Sequence, residues 1–126
     1  MEIKVPIEDT LVEKIVRGIM DNFPEASAGS ALRCVGWRYD DMRFVFQDCE
    51  ADEPAKGNHT LTKEVLMAAF PLLFTNKWPK GCTPVPEVST DKVNSEREWD
   101  DWLCAADATD FDAFVQLAIF KDVIYG

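Results

Sequence analysis

Between Glu96 and Asp112 the chain places seven carboxylates, Glu96, Glu98, Asp100, Asp101, Asp107, Asp110 and Asp112, among Trp99, Trp102 and Phe111, with Arg97 as the only opposing base. Carboxylates at this density can hold a hard cation, work as a general acid and base, neutralise the positive ends of helices, or attract a basic partner. Calcium chemistry needs a glycine-turned loop with alternating oxygen ligands and a closing glutamate, and DWLCAADATDFD has neither. A glycosidase pair needs a set separation that spacing alone does not establish where acids are this abundant. No metal site and no cofactor is expected.

Helix starts account for most of the stretch. Ser95-x-x-Glu98 has the form of a capping box, opening a short helix with Trp99, Trp102, Leu103 and Ala106 on one side. A second helix should start at Asp107 or Thr109 and turn Phe111, Phe114, Val115, Ala118 and Ile119 inward. Acids in a first turn complement unsatisfied backbone N–H groups, each contributing roughly 0.3–1 kcal/mol. Asp100 and Asp101 are not needed for that, because they point away from the Trp99/Trp102 side. Together with Glu96 and Asp110 they form an anionic surface suited to a basic protein, with Trp99, if exposed, as its aromatic anchor.

A second constellation is cationic. LRCVGWRYDDMRFVFQDC, residues 32–49, reads as a β-hairpin about Asp40-Asp41, pairing Tyr39 with Met42, Arg38 with Arg43, Trp37 with Phe44, and Val35 with Phe46. Asp-Asp is a weaker two-residue turn than Asp-Gly, so a longer loop and a shifted register stay open. Like charges directly opposite are destabilising, so Arg38 and Arg43 require either nearby acids, such as Asp48 or Glu50, or an anionic partner. The third constellation is nucleophilic: His59, the single histidine, with Cys49 or Cys82 as thiol and base. The cysteines, at 34, 49, 82 and 104, include no C-x-x-C, which disfavours a structural zinc site.

The elements that must position these groups follow from periodicity. Ile3, Val5 and Ile7 alternate in a possible edge strand over residues 3–7. Thr10-x-x-Glu13 would cap a helix from Leu11 to Asn22, ending before Pro24. Thr62 should cap another, with Leu61 and Leu66 as a hydrophobic staple and Pro71 ending it near Phe70. Residues 78–94, with three prolines, read as an extended connection. The last helix is apolar on two sides, since Leu117, Phe120 and Ile124 fall opposite its inward row. That places it centrally or in an interface, including one between copies of the chain.

The expected fold is therefore α+β: one domain over residues 1–126, with a small antiparallel sheet built on the 32–49 hairpin and packed against three or four helices. Its expected core includes Ile15, Ile19, Trp37, Phe44, Phe46, Leu66, Phe70, Trp102, Phe114 and Ile119.

A chain of 126 residues that is 47% hydrophobic suits one core. Its net charge of −10 argues against binding nucleic acid or an anionic membrane. The longest apolar run, VLMAAFPLLF, is ten residues, against the ~20 needed to span a bilayer. MEIKVPIEDT lacks the features of a secretory leader, so a cytoplasmic protein with reduced thiols is the expectation. Phage-encoded inhibitors and nuclease immunity proteins share this size and charge range. The leading expectation is a non-enzymatic protein that binds and inhibits a basic partner. A small Cys/His hydrolase and a structural subunit of a larger assembly are the alternatives.

Overall fold

The computed structural model describes residues 8–21, 32–38, 40–49, 57–86 and 92–124. Within them the order is α1 (Asp9–Asp21), β1 (Leu32–Arg38), β2 (Arg43–Asp48), β3 (Asn58–Leu61), α2 (Lys63–Ala69), a 3-10 turn (Phe70–Phe74), α3 (Lys92–Ala105) and α4 (Ala108–Phe120). The three strands form one antiparallel sheet in the order β1-β2-β3, so the fold is α+β as its periodicities imply. The possible strand at 3–7 lies outside the described residues.

The hairpin keeps its anticipated register near the turn, where Arg38 faces Arg43, Trp37 faces Phe44 and Gly36 faces Val45. Beyond Gly36 it changes. Val35 is an extra residue in β1, so Cys34 rather than Val35 faces Phe46, and Arg33 rather than Cys34 faces Gln47. This bulge swaps the two faces of the outer half of β1. Leu32 and Cys34 are buried with Phe44 and Phe46, while Val35 is 51% exposed. Trp37 is 47% exposed and leaves the expected core, although its partner Phe44 is buried. Among the described residues pairing ends at Arg38–Arg43; Tyr39, the expected partner of Met42, lies outside them, and Met42 itself is in the turn with a left-handed conformation at φ 49°. That backbone is unfavourable for a side chain with a Cβ, but it delivers Met42 into the core.

The helix caps divide into two groups. Thr62 caps α2 by accepting from the Val65 amide at 3.4 Å, and Leu61 and Leu66 are both buried around it. Pro71 then converts the chain to the 3-10 turn. Asp107 and Asp110 form a complete capping box on α4. The other two expected boxes are not used. Helix α1 begins at Asp9, with the Leu11 and Val12 amides bonded to the Glu8 carbonyl, which leaves Thr10 inside the helix. Glu13 reaches Arg17 and Lys63 instead, at 3.1 and 3.0 Å. Helix α3 begins at Lys92, so Ser95 is a buried helical residue, and Glu96 and Glu98 lie beyond the first turn.

One hydrophobic cluster joins the inner face of the sheet to the helices. It unites Val12, Ile15, Val16 and Ile19 of α1 with Phe44, Phe46 and Leu61 of the sheet and Phe114, Leu117 and Ala118 of α4. Burial of each such aliphatic or phenyl side chain contributes ~1.5–3 kcal/mol. Helix α4 is enclosed on nearly every side, with Ala113 through Ala118 all buried, which accounts for its two-sided apolar pattern. Ile119 is only partly buried at its rim. Gly18 sets the seam between α1 and α3: a Cβ there would lie 2.8 Å from Leu103 Cδ1, so its absence admits the leucine against the α1 backbone. Among the described residues no helix is long and apolar enough to cross a membrane.

Candidate functional site

The acidic stretch separates into three environments. On the α1–α3 seam, Lys14 Nζ lies 2.7 Å from Glu96 Oε1 and 3.5 Å from Asp100 Oδ1. Glu96 and Asp100 are one helical turn apart, so a single ammonium from α1 reaches both. The Glu96 hydrogen bond holds Lys14 above its ordinary pKa, and Lys14 in turn holds Glu96 below the usual carboxylate value. These two acids remain exposed, but α1 supplies part of their countercharge.

Glu98 and Asp101 take another direction. They are exposed on α3 and, with Trp102 and Ala105, face Thr83, Pro84 and Pro86 across an open groove of about 510 Å³. Neither has an ion-pair partner among the described residues. The groove therefore has two carboxylates beside a floor of proline, alanine and indole. Two tryptophans hold its wall: Trp78 Nε1 and Trp102 Nε1 both donate to the Thr83 carbonyl, at 3.0 and 3.3 Å.

The third environment is interior. Asp110 is 2% exposed and accepts from the Thr83 amide and hydroxyl, both at 2.7 Å, and from the Asp107 amide at 3.0 Å. It is thus a latch that fixes the Thr83–Pro86 side of the groove to α4. Beside it, burial and the Asp110 carboxylate push the Cys82 thiol up to about 11, away from the thiolate form. Asp112 is half-buried on α4; Oδ2 accepts from Gln116 Nε2 at 2.7 Å, while its buried Oδ1 has no hydrogen-bond partner among the described residues. Burial raises its pKa, with the Gln116 hydrogen bond acting in the opposite sense.

Of the residues anticipated for a partner surface, Glu96, Asp100 and Asp101 are on the exterior of α3. Trp99 and Asp110 are not. Trp99 is 1% exposed and packs with Phe70, Phe74 and Trp102 at ring-centroid distances of 5.3, 6.0 and 5.4 Å, so it is a core residue rather than an anchor. Arg38 and Arg43 are exposed on the hairpin, and Asp41 in the loop pairs with Arg38 at 3.2 Å. That role does not fall to Asp48, which is buried; Glu50 lies outside the described residues.

The nucleophile–base pair is not assembled. His59 faces Phe46 across the sheet, and Cys49 lies three residues further along the chain, just past the end of β2, about 10 Å away at strand rise. At the other end, the His59 ring meets Phe120 edge-on at 5.5 Å, whereas Cys82 precedes Thr83, whose amide and hydroxyl donate to Asp110. Ten residues of α4, about 15 Å, separate those two points. The four cysteines are unbridged.

Sequence reasoning missed Glu98, Thr83, Pro84 and Pro86. Glu98 was absorbed by a capping motif that the earlier start of α3 makes redundant, and the proline segment carries no period. No local signal could have found it, because Thr83 and Trp102 are 19 residues apart and only packing brings them together. Comparison of the chain with family models, curated proteins and solved structures gives no match.

Proposed function

We propose that this chain is a non-enzymatic interaction protein that binds a basic protein partner and blocks it by covering its cationic surface. The supporting observation is the α3 groove, in which Glu98 and Asp101 have no ion-pair partner among the described residues and stand beside Pro84, Pro86, Trp102 and Ala105. A lysine or arginine side chain suits such a place, because its apolar stem covers proline and indole while its charged head meets a carboxylate. The net charge of −10 adds long-range steering toward a basic target. The groove is shallow, so the reading requires neighbouring contacts on α3, where Glu96 and Asp100 lie along the same helix.

The test is a titration of the isotope-labelled protein with a ten-residue arginine-rich peptide, followed by NMR. Glu98→Gln/Asp101→Asn should weaken binding at least tenfold and remove the shifts at Thr83 and Ala105. Glu96→Gln/Asp100→Asn should weaken it less, because Lys14 already screens those acids. Association should slow steeply as salt is raised. Equal losses from the two double variants, or a salt-independent rate, would overturn the proposal.

A further inference from the structure

An acidic chain presents a cationic face on its sheet. Because residues 43, 45 and 47 of β2 alternate with the buried Phe44 and Phe46, they define the outer side. The register places Arg38 opposite Arg43, Gly36 opposite Val45 and Arg33 opposite Gln47 on that side. Three arginines thus share one surface, and only Arg38 has an ion-pair partner among the described residues, Asp41. The bulge adds an apolar element, since it leaves Val35 unpaired and 51% exposed, next along the chain to Gly36, which faces Val45. Two directly opposed arginines and a half-bare valine each disfavour the isolated chain slightly. A partner carrying negative charge and one apolar side chain would relieve both.

We propose that the outer face of the β1–β2 hairpin is a docking surface for an acidic protein segment, with carboxylates on Arg33, Arg38 and Arg43 and an apolar side chain seated on Val35 and Val45. Arginine suits this contact because its planar fork pairs with a carboxylate through two parallel hydrogen bonds. Charge complementarity alone would also admit nucleic acid, but two observations favour protein. Single-strand binding draws on aromatic stacking platforms, and Trp37 belongs to the opposite face by its pairing with Phe44. A nucleic acid also extends its charge well past a patch this small, onto a chain of net charge −10. An acidic peptide can confine its charge to the patch. This surface is independent of the α3 groove and opposite to it in sign.

The probe is a ten-residue peptide of Glu and Asp with one central Leu, titrated into the labelled protein alongside its Leu-to-Ser counterpart and a ten-nucleotide oligo-dT. Amide shifts should centre on Arg33, Val35, Arg38 and Arg43. Arg33→Ser/Arg43→Ser should weaken binding at least tenfold, and Val35→Ser or the Leu-free peptide about threefold. Both protein variants alter exposed side chains, and unchanged circular dichroism would confirm their fold. Glu98→Gln/Asp101→Asn should leave this binding intact, which separates its outcome from that of the groove. Shifts absent up to millimolar peptide, shifts located elsewhere, or oligo-dT binding the same face as tightly would each overturn the proposal. So would a dimer of the chain abolished by Arg33→Ser/Arg43→Ser, since a second copy would then be the occupant.

Discussion

Asp101 and Asp110 stand nine residues apart in one acidic stretch, yet the first is exposed beside a groove and the second is 2% exposed and fully engaged. Their side chains are chemically identical; the backbone around each decides the role. Helix α3 is already under way when it reaches Asp101, so no unsatisfied amide competes for that carboxylate. Asp110 falls in the first turn of α4 and beside the Thr83 segment, where amides and a hydroxyl converge on it. Carboxylates in the first environment are available to partners, and those in the second hold the fold.

The most damaging way to probe that contrast is Asp110→Ala. It removes a helix cap contact and leaves the Thr83 amide and hydroxyl without their acceptor. With about 1–3 kcal/mol for each of the two polar groups left unsatisfied and ~1 kcal/mol for the cap, the sum is about 3–7 kcal/mol, and because Thr83 is only part-buried the lower half, about 3–5 kcal/mol, is expected in denaturant unfolding. Asp101→Asn should change stability by less than about 0.5 kcal/mol. If the two variants unfolded at the same denaturant concentration, the division between surface and latch would be wrong.

Thiol chemistry reads the same contrast without altering the acids. Cys104 is exposed on α3, whereas Cys82 is buried against Asp110 and its pKa lies at about 11 rather than the ordinary 9.0. That shift alone makes the Cys82 thiolate ~100-fold scarcer than that of an ordinary thiol near neutral pH. Labelling with a disulfide reagent at pH 8, read by mass spectrometry, should modify Cys104 and Cys49 rapidly and Cys82 at least ~100-fold more slowly. In the Asp110→Ala variant Cys82 should become faster.

Asp112 sharpens the comparison from within the interior group, since it shares burial with Asp110 but lacks its full set of donors. Its raised folded pKa means that the native state binds its proton more tightly than the unfolded chain does. Its contribution is therefore most favourable below its unfolded value of about 3.8 and declines as pH rises through the folded pKa. Asp112→Asn should remove that descending limb and raise stability at pH 7 relative to the parent, by less than Asp110→Ala lowers it. Stability–pH curves of parent and variant that run parallel would contradict this.

Much of the architecture was legible because its signals are local. Thr62, Pro71 and Asp107 act on backbone within a few residues of themselves, so their positions translate into caps and breaks. The hairpin and eight of the ten expected core residues follow from alternation and helical spacing, with Ile119 at the rim. Trp37 failed because exposure at a sheet edge depends on what packs above it, not on the strand's period. Val35 failed because one inserted residue reverses a face without changing composition. The surface proposed for a partner was legible only in part: counting acids pointed to α3, but only packing could show that Lys14 occupies Glu96 and Asp100 and that the Thr83–Pro86 segment comes to lie beside Glu98 and Asp101.

The smallest expected effect concerns that occupied pair. Glu96 has a lowered folded pKa because Lys14 donates to it, so its contribution is present above its unfolded pKa and is lost as pH falls through the lower folded value. This is opposite in sign to Asp112, so the two carboxylate environments bend the pH–stability curve in opposing directions. Glu96 and Lys14 are both about half exposed, and solvent and salt screen their attraction. Glu96→Gln should therefore shift the thermal midpoint by no more than about 1–2 °C at low salt, with the difference vanishing at high salt. A larger shift that survives high salt would show that the Lys14 bridge belongs with the interior latch rather than with the exposed acids of α3. The boundary between the two groups would then lie between Glu96 and Glu98, within a single turn of one helix.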